Sequence, residues 1–272
     1  MRTFLPLALA VVATLSTPAQ ASEDQPCGDE VVASVAKWAG VKGNLASWSN
    51  GNGVLAAASC KAMPDAPDTT IAALAFDTDH VGPNSDDGKI AQVVALVKGD
   101  QVIAATRSTI EEDPSEQVGS FRIDTAPYWL SPDVRAFGVV FKSSGRGPSC
   151  ADAAADQELT LYVREGSALR AVLGTNLYGW ASIAPNSCGP GFDQTHGADA
   201  AITIALEKTA SHGFADLALS ARVTREEVKK LQWVETGKYT KRIVLHYDGK
   251  TYGFNMSRDF WYPPDSVMKR GK

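Results

Sequence analysis

The sequence predicts a mainly β protein, built from repeated antiparallel strand units with one short N-terminal helix. Runs of β-branched and aliphatic residues recur along most of the chain, and turns containing Gly or Asn separate them. One stretch near the N-terminus has helical periodicity instead. The clearest strand set lies within 133–174, where two runs are joined by a tight turn at Glu165-Gly166. This pattern is typical of a partial-propeller-like fold or an irregular β-sandwich.

The first residues have the composition of a secretory signal peptide. Arg2 provides a positive charge, residues 4–15 form an apolar run, and residues 19–21 match the small-x-small pattern of a cleavage site. The apolar run is too short to span a bilayer. We therefore expect cleavage after Ala21 and a periplasmic or secreted product. Ser22 follows the expected cut, so we expect no lipid anchor.

Charge and hydropathy argue against several classes of function. The full chain has 26 basic and 31 acidic residues, a net charge of −5, and loss of Arg2 with the leader makes the exported form more acidic still. Nucleic acids and anionic membrane surfaces reward a clustered basic face instead. No later segment has the ~18 consecutive apolar residues that a membrane span needs. We expect a soluble protein with no nucleic-acid partner and no membrane span.

Four cysteines lie in the exported part of the chain, namely Cys27, Cys60, Cys150 and Cys188. An even number in an oxidising compartment predicts two disulfides, and the sequence alone leaves three pairings open. We favour Cys27–Cys60 and Cys150–Cys188, because each pair flanks a turn-rich segment. Each bridge would stabilise the fold by roughly 3–4 kcal/mol on the chain-entropy estimate. A zinc site is disfavoured because no Cys-x-x-Cys spacing occurs.

The exported chain divides into an N-terminal arm, 22–69, and a β-repeat domain, 70–272. Three units are expected in the domain, at about 70–132, 133–213 and 214–256. Each has a strand followed by a hairpin, and the hairpins read ALVKGDQVIA, LYVREGSALR and VLHYDGKTYG. Turn chemistry gives most hairpins this pattern, so the strand before each copy is what favours a true repeat.

The arm contains the predicted helix, residues 29–39. Asp29 is the expected N-cap, and Gly40 suits the position just past the C-terminus. A strand over 54–63 follows a Gly/Asn/Ser-rich loop, and its Cys60 would tie the arm to the core. The helix face that we expect to pack on the main body comprises Val31, Val32, Val35 and Trp38.

Three further features concern the strands of the β-repeat domain. Pro127 confines the strand at 120–130 to a sheet edge or a bulge, because proline lacks the ladder N–H. The third hairpin is expected over 242–254, with its turn at Asp248-Gly249. Thr224 and Glu227 form a capping box that predicts a turn or two of helix.

The catalytic motifs found are incomplete. Ser34-Val35-Ala36-Lys37 matches the Ser-x-x-Lys of β-lactamases, but the partner motifs Ser-Asp-Asn and Lys-Thr-Gly are absent. The loop 77–88 is rich in Asp and Asn oxygens, which suit Ca²⁺, yet it lacks the EF-hand order. Turn chemistry explains that loop as well. We therefore predict no catalytic residue, no metal and no cofactor.

Aromatic clusters near Pro or Gly provide the candidate binding residues. Exposed aromatic side chains are frequent anchors of protein interfaces and of carbohydrate platforms. Packing at the ends of sheets is the alternative role for each cluster, since aromatic residues bury much area. The candidates are Trp129, Tyr178, Trp180 and Trp261.

These observations favour a binding protein without catalytic activity, an inhibitor or an envelope-associated factor. Long loops that carry aromatic residues on a β scaffold are the reason. We expect the partner to be another exported protein or an envelope glycan. The alternative is a periplasmic hydrolase with a loop-borne active site, for which Asp193, His196 and His212 are the candidate residues.

Overall fold

The computed structural model describes residues 25–50, 53–78, 88–183, 195–254 and 260–263. The predicted signal peptide and Cys188 lie outside these ranges, as does most of the 77–88 loop. Within them the chain is mainly β, as the sequence predicts, with one α-helix and a 3-10 turn at Trp48–Asn50. The elements are α1 (Asp29–Ala39), β1 (Leu55–Met63), β2 (Ala66–Asp77), β3 (Lys89–Lys98), β4 (Gln101–Glu111), β5 (Val118–Ser131), β6 (Val134–Ser143), β7 (Ala153–Glu165), β8 (Ala168–Ser182), β9 (His196–Ser211), β10 (Phe214–Lys229) and β11 (Gln232–Leu245).

The described strands form three antiparallel groups in chain order: β1–β4, β5–β8 and β9–β11. A parallel bridge from Ala105 to Ala168 links β4 to β8, and the C-terminal half of β8 pairs with β9. The sheet is open. The side chain of Gln25 connects its far ends, because its Nε2 donates to Ile123 O of β5 and Ser59 Oγ of β1 donates to its Oε1. The predicted units at about 70–132, 133–213 and 214–256 have other bounds than these groups, and whether those units are a sequence repeat stays a prediction.

The three groups are stacked around separate apolar clusters. One face of β2–β4 packs on α1, and the other face packs on β5–β7. The opposite face of β5–β8 packs on β9–β11. Strands buried on both faces need apolar residues at every position, which explains the continuous apolar runs of β2, β3 and β6. The outer group, β9–β11, buries one face only, so the side chains on its other face are accessible to solvent.

The helix begins and ends where the sequence predicts. Gly40 adopts φ 70° in the left-handed region, and its N–H reaches the carbonyls of the last turn. Two details of the prediction are wrong. Gly28, not Asp29, occupies the N-cap position, without a capping side chain. Trp38 is 45% exposed, because the helix faces the sheet through Val32, Val35 and Ala36 instead.

The predicted disulfide Cys27–Cys60 is confirmed, and it joins the arm to β1. Cys150 is also disulfide-bonded, while its expected partner Cys188 lies outside the description. The expectation for Pro127 is confirmed as well. The β5–β6 ladder is shifted between Asp124 and Tyr128, and Asp124 accepts hydrogen bonds from Ala126 N and Tyr128 Oη there.

The expectations for the end of the chain are wrong in two places. Residues 224–229 are not helical, because this end of β10 pairs with both β9 and β11. Residues 242–254 are not a hairpin, since β11 ends at Leu245. The turn at Asp248 forms as expected, but it brings Tyr252 N–H onto Val172 O of β8. The hairpin partner of β10 is instead Gln232–Leu245, of which the sequence pattern indicated only residues 242–245 as a strand.

Candidate functional site

The outer face of β8–β11 gathers aromatic and acidic side chains. Ala198, Ala200 and Ile202 of β9 point into the core, so the residues between them point outward. Register then places Tyr178 and Trp180 of β8 beside Ala201 and Asp199 of β9. The same ladders bring Gly197 to Glu226 and Glu226 to Glu235. We call the following set the aromatic–acidic face: Tyr178, Trp180, Asp199, Glu226, Trp233 and Glu235.

Two tryptophans meet across this face. The ring centroids of Trp180 and Trp233 are 6.3 Å apart, with the planes at 84° in an edge-to-face arrangement. Their strands are separated by three inter-strand spacings, about 14 Å. The two indoles therefore lean toward each other over β9 and β10. Trp233 remains 41% exposed and Trp180 is half-buried.

A glycine makes room for this pair. A Cβ atom at Gly197 would lie 2.8 Å from Nε1 of Trp180, which is closer than Cβ atoms in proteins come to other heavy atoms. Any larger residue at this position would therefore displace the indole. On the adjacent strand, Val228 is the cross-strand partner of Trp233 and is buried. The floor beneath the two indoles is thus made of small or apolar residues.

The carboxylates of the face are close enough to repel one another. Glu226 and Glu235 are direct cross-strand partners, an arrangement that is destabilising for like charges. Partial burial raises the pKa of Glu226, and the charges of Asp199 and Glu235 raise it further. Burial also raises the pKa of Asp199, with Lys238 opposing and Glu235 adding to the effect. The fold therefore holds these carboxylates in a place that disfavours their charge.

Tyr178 shares this negative environment and is 37% exposed. Partial burial raises the pKa of its hydroxyl, and the charges of Asp199, Glu226 and Asp156 raise it further. Asp156 is the β7 partner of Tyr178 and extends the acidic region by one strand. The aromatic and acidic residues therefore form one surface across five strands.

Three cations of the described strands lie on the same side of the sheet, and one of them, Arg242, is paired with Glu207. Lys238 is 2.5 Å from a carboxylate oxygen of Glu235, an ion pair between exposed groups. Arg222 is the β10 partner of Ala201, one row from Asp199. Among the described residues, no cation is within ion-pair distance of Asp199 or Glu226. The face keeps an excess of negative charge.

The two other predicted binding residues lie elsewhere. Trp261 is 1% exposed and stacks on Tyr262, with centroids 4.2 Å apart. Its ring packs beneath Gly179, where a Cβ would lie 2.7 Å away. Trp261 therefore supports β8 from inside and cannot contact a ligand. Trp129 is exposed and lines an open groove of about 410 Å³ together with Pro132 and residues 207–210 of β9.

The residues of the hydrolase hypothesis do not converge. His196 and His212 stand at opposite ends of β9, about 50 Å apart at the usual rise per residue. His196 Nδ1 is 4.0 Å from Glu227, while His212 Nδ1 is 2.8 Å from Tyr247 O. Asp193 lies outside the described residues. The version of the hydrolase hypothesis that joins these two histidines in one site is wrong.

Among the described residues, a Ser–His–Asp group occurs beside the turn of the β9–β10 hairpin, but it is not a triad. Ser211 Oγ is 3.3 Å from Nδ1 of His246, and Asp216 Oδ2 is 3.1 Å from the same nitrogen. A triad uses the two ring nitrogens separately, one for the carboxylate and one for the nucleophile. Thr209 Oγ1 also donates to Asp216 Oδ2. Hydrogen bonds from Thr209, Ser211 and His246 lower the pKa of this carboxyl, against the effect of burial.

Sequence reasoning found Tyr178 and Trp180 but missed their partners. Trp233 and Glu235 were missed because residues 232–241 carry no continuous apolar run. Trp233, Glu235 and Lys238 of β11 are the cross-strand partners of Val228, Glu226 and Thr224 of β10. The signal that could have found them is the alternation of side chains between the two faces of these paired strands. Asp199 was missed because only the strand pairing shows which residues lie beside it.

Two remaining observations concern metals and membranes. In the ranges listed above for the structure, no cluster of three or more His, Cys, Asp or Glu could hold a metal ion. Nor does any helix in those ranges have the length and apolarity required to cross a membrane. The calcium hypothesis concerned residues 77–88, of which 79–87 fall outside the description.

Comparisons with protein-family models, curated proteins and solved structures find no match to this chain. The case for a site therefore depends on geometry and chemistry. On both grounds the aromatic–acidic face is the strongest candidate.

Proposed function

We propose that the chain is an exported, disulfide-stabilised binding protein without catalytic activity, whose aromatic–acidic face holds its partner. The observation that carries the proposal is the Trp180–Trp233 pair on the outer face of β8–β11, in which Trp233 is 41% exposed and Trp180 is half-buried. Large aromatic side chains at an exposed, well-supported position are the usual anchors of an interface. An inhibitor or an envelope-associated factor would use such a surface.

The packing beneath the face supports this role. Gly197 makes room for Trp180 on the outside of the sheet, and Gly179 makes room for Trp261 on the inside. Both constraints fix the backbone of β8 and limit where the outer indole can lie. A binding group that is already positioned loses little freedom when a partner docks. The aromatic–acidic face is therefore preorganised for binding.

The acidic residues of the face are a second observation that supports a binding role. Asp199 and Glu226 are placed where burial and like charges disfavour their ionised forms. Groups with perturbed pKa values are concentrated at functional sites, where proteins often accept a loss of stability. The partner is another exported protein or an envelope glycan, since both use aromatic anchors.

The proposal is tested by affinity capture from an envelope extract, with calorimetric titration against envelope glycan fragments in parallel. The bait is the wild type or the double variant Trp180→Ala/Trp233→Ala. Trp38→Ala/Trp48→Ala is the matched control, because it removes two exposed tryptophans elsewhere. We expect a partner or a glycan that binds the wild type and the control but not the first double variant. Equal capture by all three baits, or no binding in either assay, would overturn the proposal.

A further inference from the structure

We propose that the occupant of the aromatic–acidic face is a cationic segment of an exported protein, bound through arginine side chains. This inference rests on the proposed binding function and adds the chemistry of the partner. It follows from how the chain itself pairs aromatic, arginine and carboxylate groups elsewhere, and from the component that the face lacks.

The first internal example is at Trp129. The guanidinium carbon of Arg135 lies 5.5 Å from the centre of the indole ring. The same arginine is 3.1 Å from a carboxylate oxygen of Asp65, and it donates to Thr125 O at 2.8 Å. A planar cation is thus held between an aromatic face and a carboxylate, a combination that guanidinium groups favour.

The second example is at Tyr247. Arg170 lies with its guanidinium carbon 5.9 Å from the centre of this ring. Its Nε is 2.8 Å from an oxygen of Glu165, and one of its terminal nitrogens donates to the tyrosine hydroxyl at 2.9 Å. Two aromatic residues in this molecule therefore each have an arginine and an acidic partner.

The aromatic–acidic face has the same components, but among the described residues no arginine lies over its rings, since Arg222 on the same side makes no such contact. Trp180, Trp233 and Tyr178 provide the rings, while Asp199 and Glu226 provide carboxylates that have no ion-pair partner among the described residues. The cation–π contacts found in the described chain are those of Arg135 and Arg170. An incoming guanidinium would complete at this face the arrangement that the chain completes internally at two other places.

The charges around the face agree with a cationic occupant. The charged and titratable groups of the described strands on this side of the sheet are Asp156 of β7, Tyr178 of β8, Asp199 and Glu207 of β9, Arg222 and Glu226 of β10, and Glu235, Lys238 and Arg242 of β11. Five carboxylates therefore face three cations, and the cation Arg242 is already paired with Glu207. Lys238 is held by Glu235, which leaves the central carboxylates Asp199 and Glu226 to an incoming charge.

This arrangement links binding to pH. The pKa values of Asp199 and Glu226 are raised, chiefly by burial. Both groups therefore take up protons at a higher pH than ordinary carboxyls do, and a cation binds only to their ionised forms. The affinity for a cationic segment should fall as the pH drops through these raised pKa values, and binding in that pH range should release protons.

The test is calorimetric titration of the exported form of the protein with a capped (Gly-Arg)₄ peptide. The neutral probe is the same peptide with citrulline in place of arginine, and chitotetraose serves as a glycan probe. Asp199→Asn/Glu226→Gln removes two charges from the face. Glu111→Gln/Asp133→Asn removes two exposed charges far from it and controls for the net charge of an acidic protein.

We expect the arginine peptide to bind at least tenfold more tightly than the citrulline peptide. We also expect Asp199→Asn/Glu226→Gln to weaken it at least tenfold, with less than a twofold effect of the control variant. Equal binding of both peptides, or equal losses in both variants, would overturn the inference. If chitotetraose alone binds and Trp180→Ala/Trp233→Ala abolishes this, the cationic partner is excluded while the binding face stands. If no probe binds and capture is also insensitive to Trp180 and Trp233, both proposals fail.

Discussion

At the scale of single residues, the acidic groups of the aromatic–acidic face lower the stability of the fold and provide the charge that the proposed binding uses. Glu226 faces Glu235 directly across the β10–β11 ladder. Because the folded state raises the pKa of Glu226, it favours the protonated form. The fold therefore loses stability as the pH rises through that pKa, and removing the charge should restore it at neutral pH.

We therefore expect Glu226→Gln to stabilise the protein at pH 7. Relief of one like-charge cross-strand pair should add roughly 0.2–1 kcal/mol, which raises the Tm by about 1–4 °C for a chain of this size. The measurement is thermal unfolding at pH 7, with Glu111→Gln as the control. The gain should shrink as the pH is lowered, because the wild-type group is then protonated as well. A drop in Tm at pH 7 would contradict this reading of the face.

Two glycines of the same region separate an effect on the site from an effect on the core. A Cβ at Gly197 would collide with the half-exposed Trp180, whereas a Cβ at Gly179 would collide with the buried Trp261. We expect Gly197→Ala to displace the indole, abolish partner capture and destabilise the fold by about 1–3 kcal/mol.

We expect Gly179→Ala to destabilise the fold more than Gly197→Ala does, because the aromatic core beneath β8 cannot yield. Both variants are measured by urea unfolding together with tryptophan emission. Full capture by Gly197→Ala with an unchanged emission spectrum would show that Trp180 does not require the space above this glycine.

At the scale of elements, local patterns were readable from the sequence and long-range pairing was not. The helix over 29–39 is fixed by its apolar spacing and by Gly40, both of which act within a few residues. Most strands were recognised because they are buried on both faces and read as apolar runs. Residues 232–241 of strand β11 are largely exposed and polar, so only the strand's last four residues were recognised.

The residues of the candidate site also divide into those that the sequence indicates and those that only the strand pairing brings together. The aromatic residues Tyr178 and Trp180 are local signals, since they stand out by residue type near a glycine. Their acidic neighbours Asp199 and Glu226 are ordinary charged residues until the ladders bring β8, β9 and β10 together. Trp261 is the opposite case, an aromatic residue whose burial depends on packing that no local pattern reveals.

The disulfide between Cys27 and Cys60 acts on the helix-bearing arm and not on the site. Its half-cystines are separated by 33 residues, so Cys27→Ala/Cys60→Ala should lower the free energy of unfolding by roughly 3–4 kcal/mol. Capture of the partner should be unchanged, because α1 packs on β3 and β4. The measurement combines urea unfolding with the capture assay. Loss of capture in a variant that remains folded would contradict the separation of arm and face.

At the scale of the whole molecule, the middle group of strands joins the two large cores. Consecutive residues of β7 belong to different clusters, with Leu161 facing β9–β11 and Tyr162 facing β2–β4. Loss of either core would expose one side of the same strands. We therefore expect the described β groups to unfold together.

Calorimetry tests this expectation. The protein should show one transition, with equal calorimetric and van't Hoff enthalpies. Leu161→Ala should lower the free energy of unfolding by about 2–5 kcal/mol without splitting the transition. Two resolved transitions, only one of which is sensitive to Leu161→Ala, would show that the outer group folds independently.

The central claim is that the outer face of β8–β11 is where this protein meets its partner. Hydroxyl-radical footprinting with the captured partner measures this directly, because exposed aromatic side chains are oxidised and covered ones are protected. The account predicts that Tyr178 and Trp233 are oxidised in the free protein and protected in the complex, while Trp38 and Trp129 react equally in both. Protection of Trp129 with unchanged oxidation of Tyr178 and Trp233 would place the partner at the groove beside β9 and contradict the account.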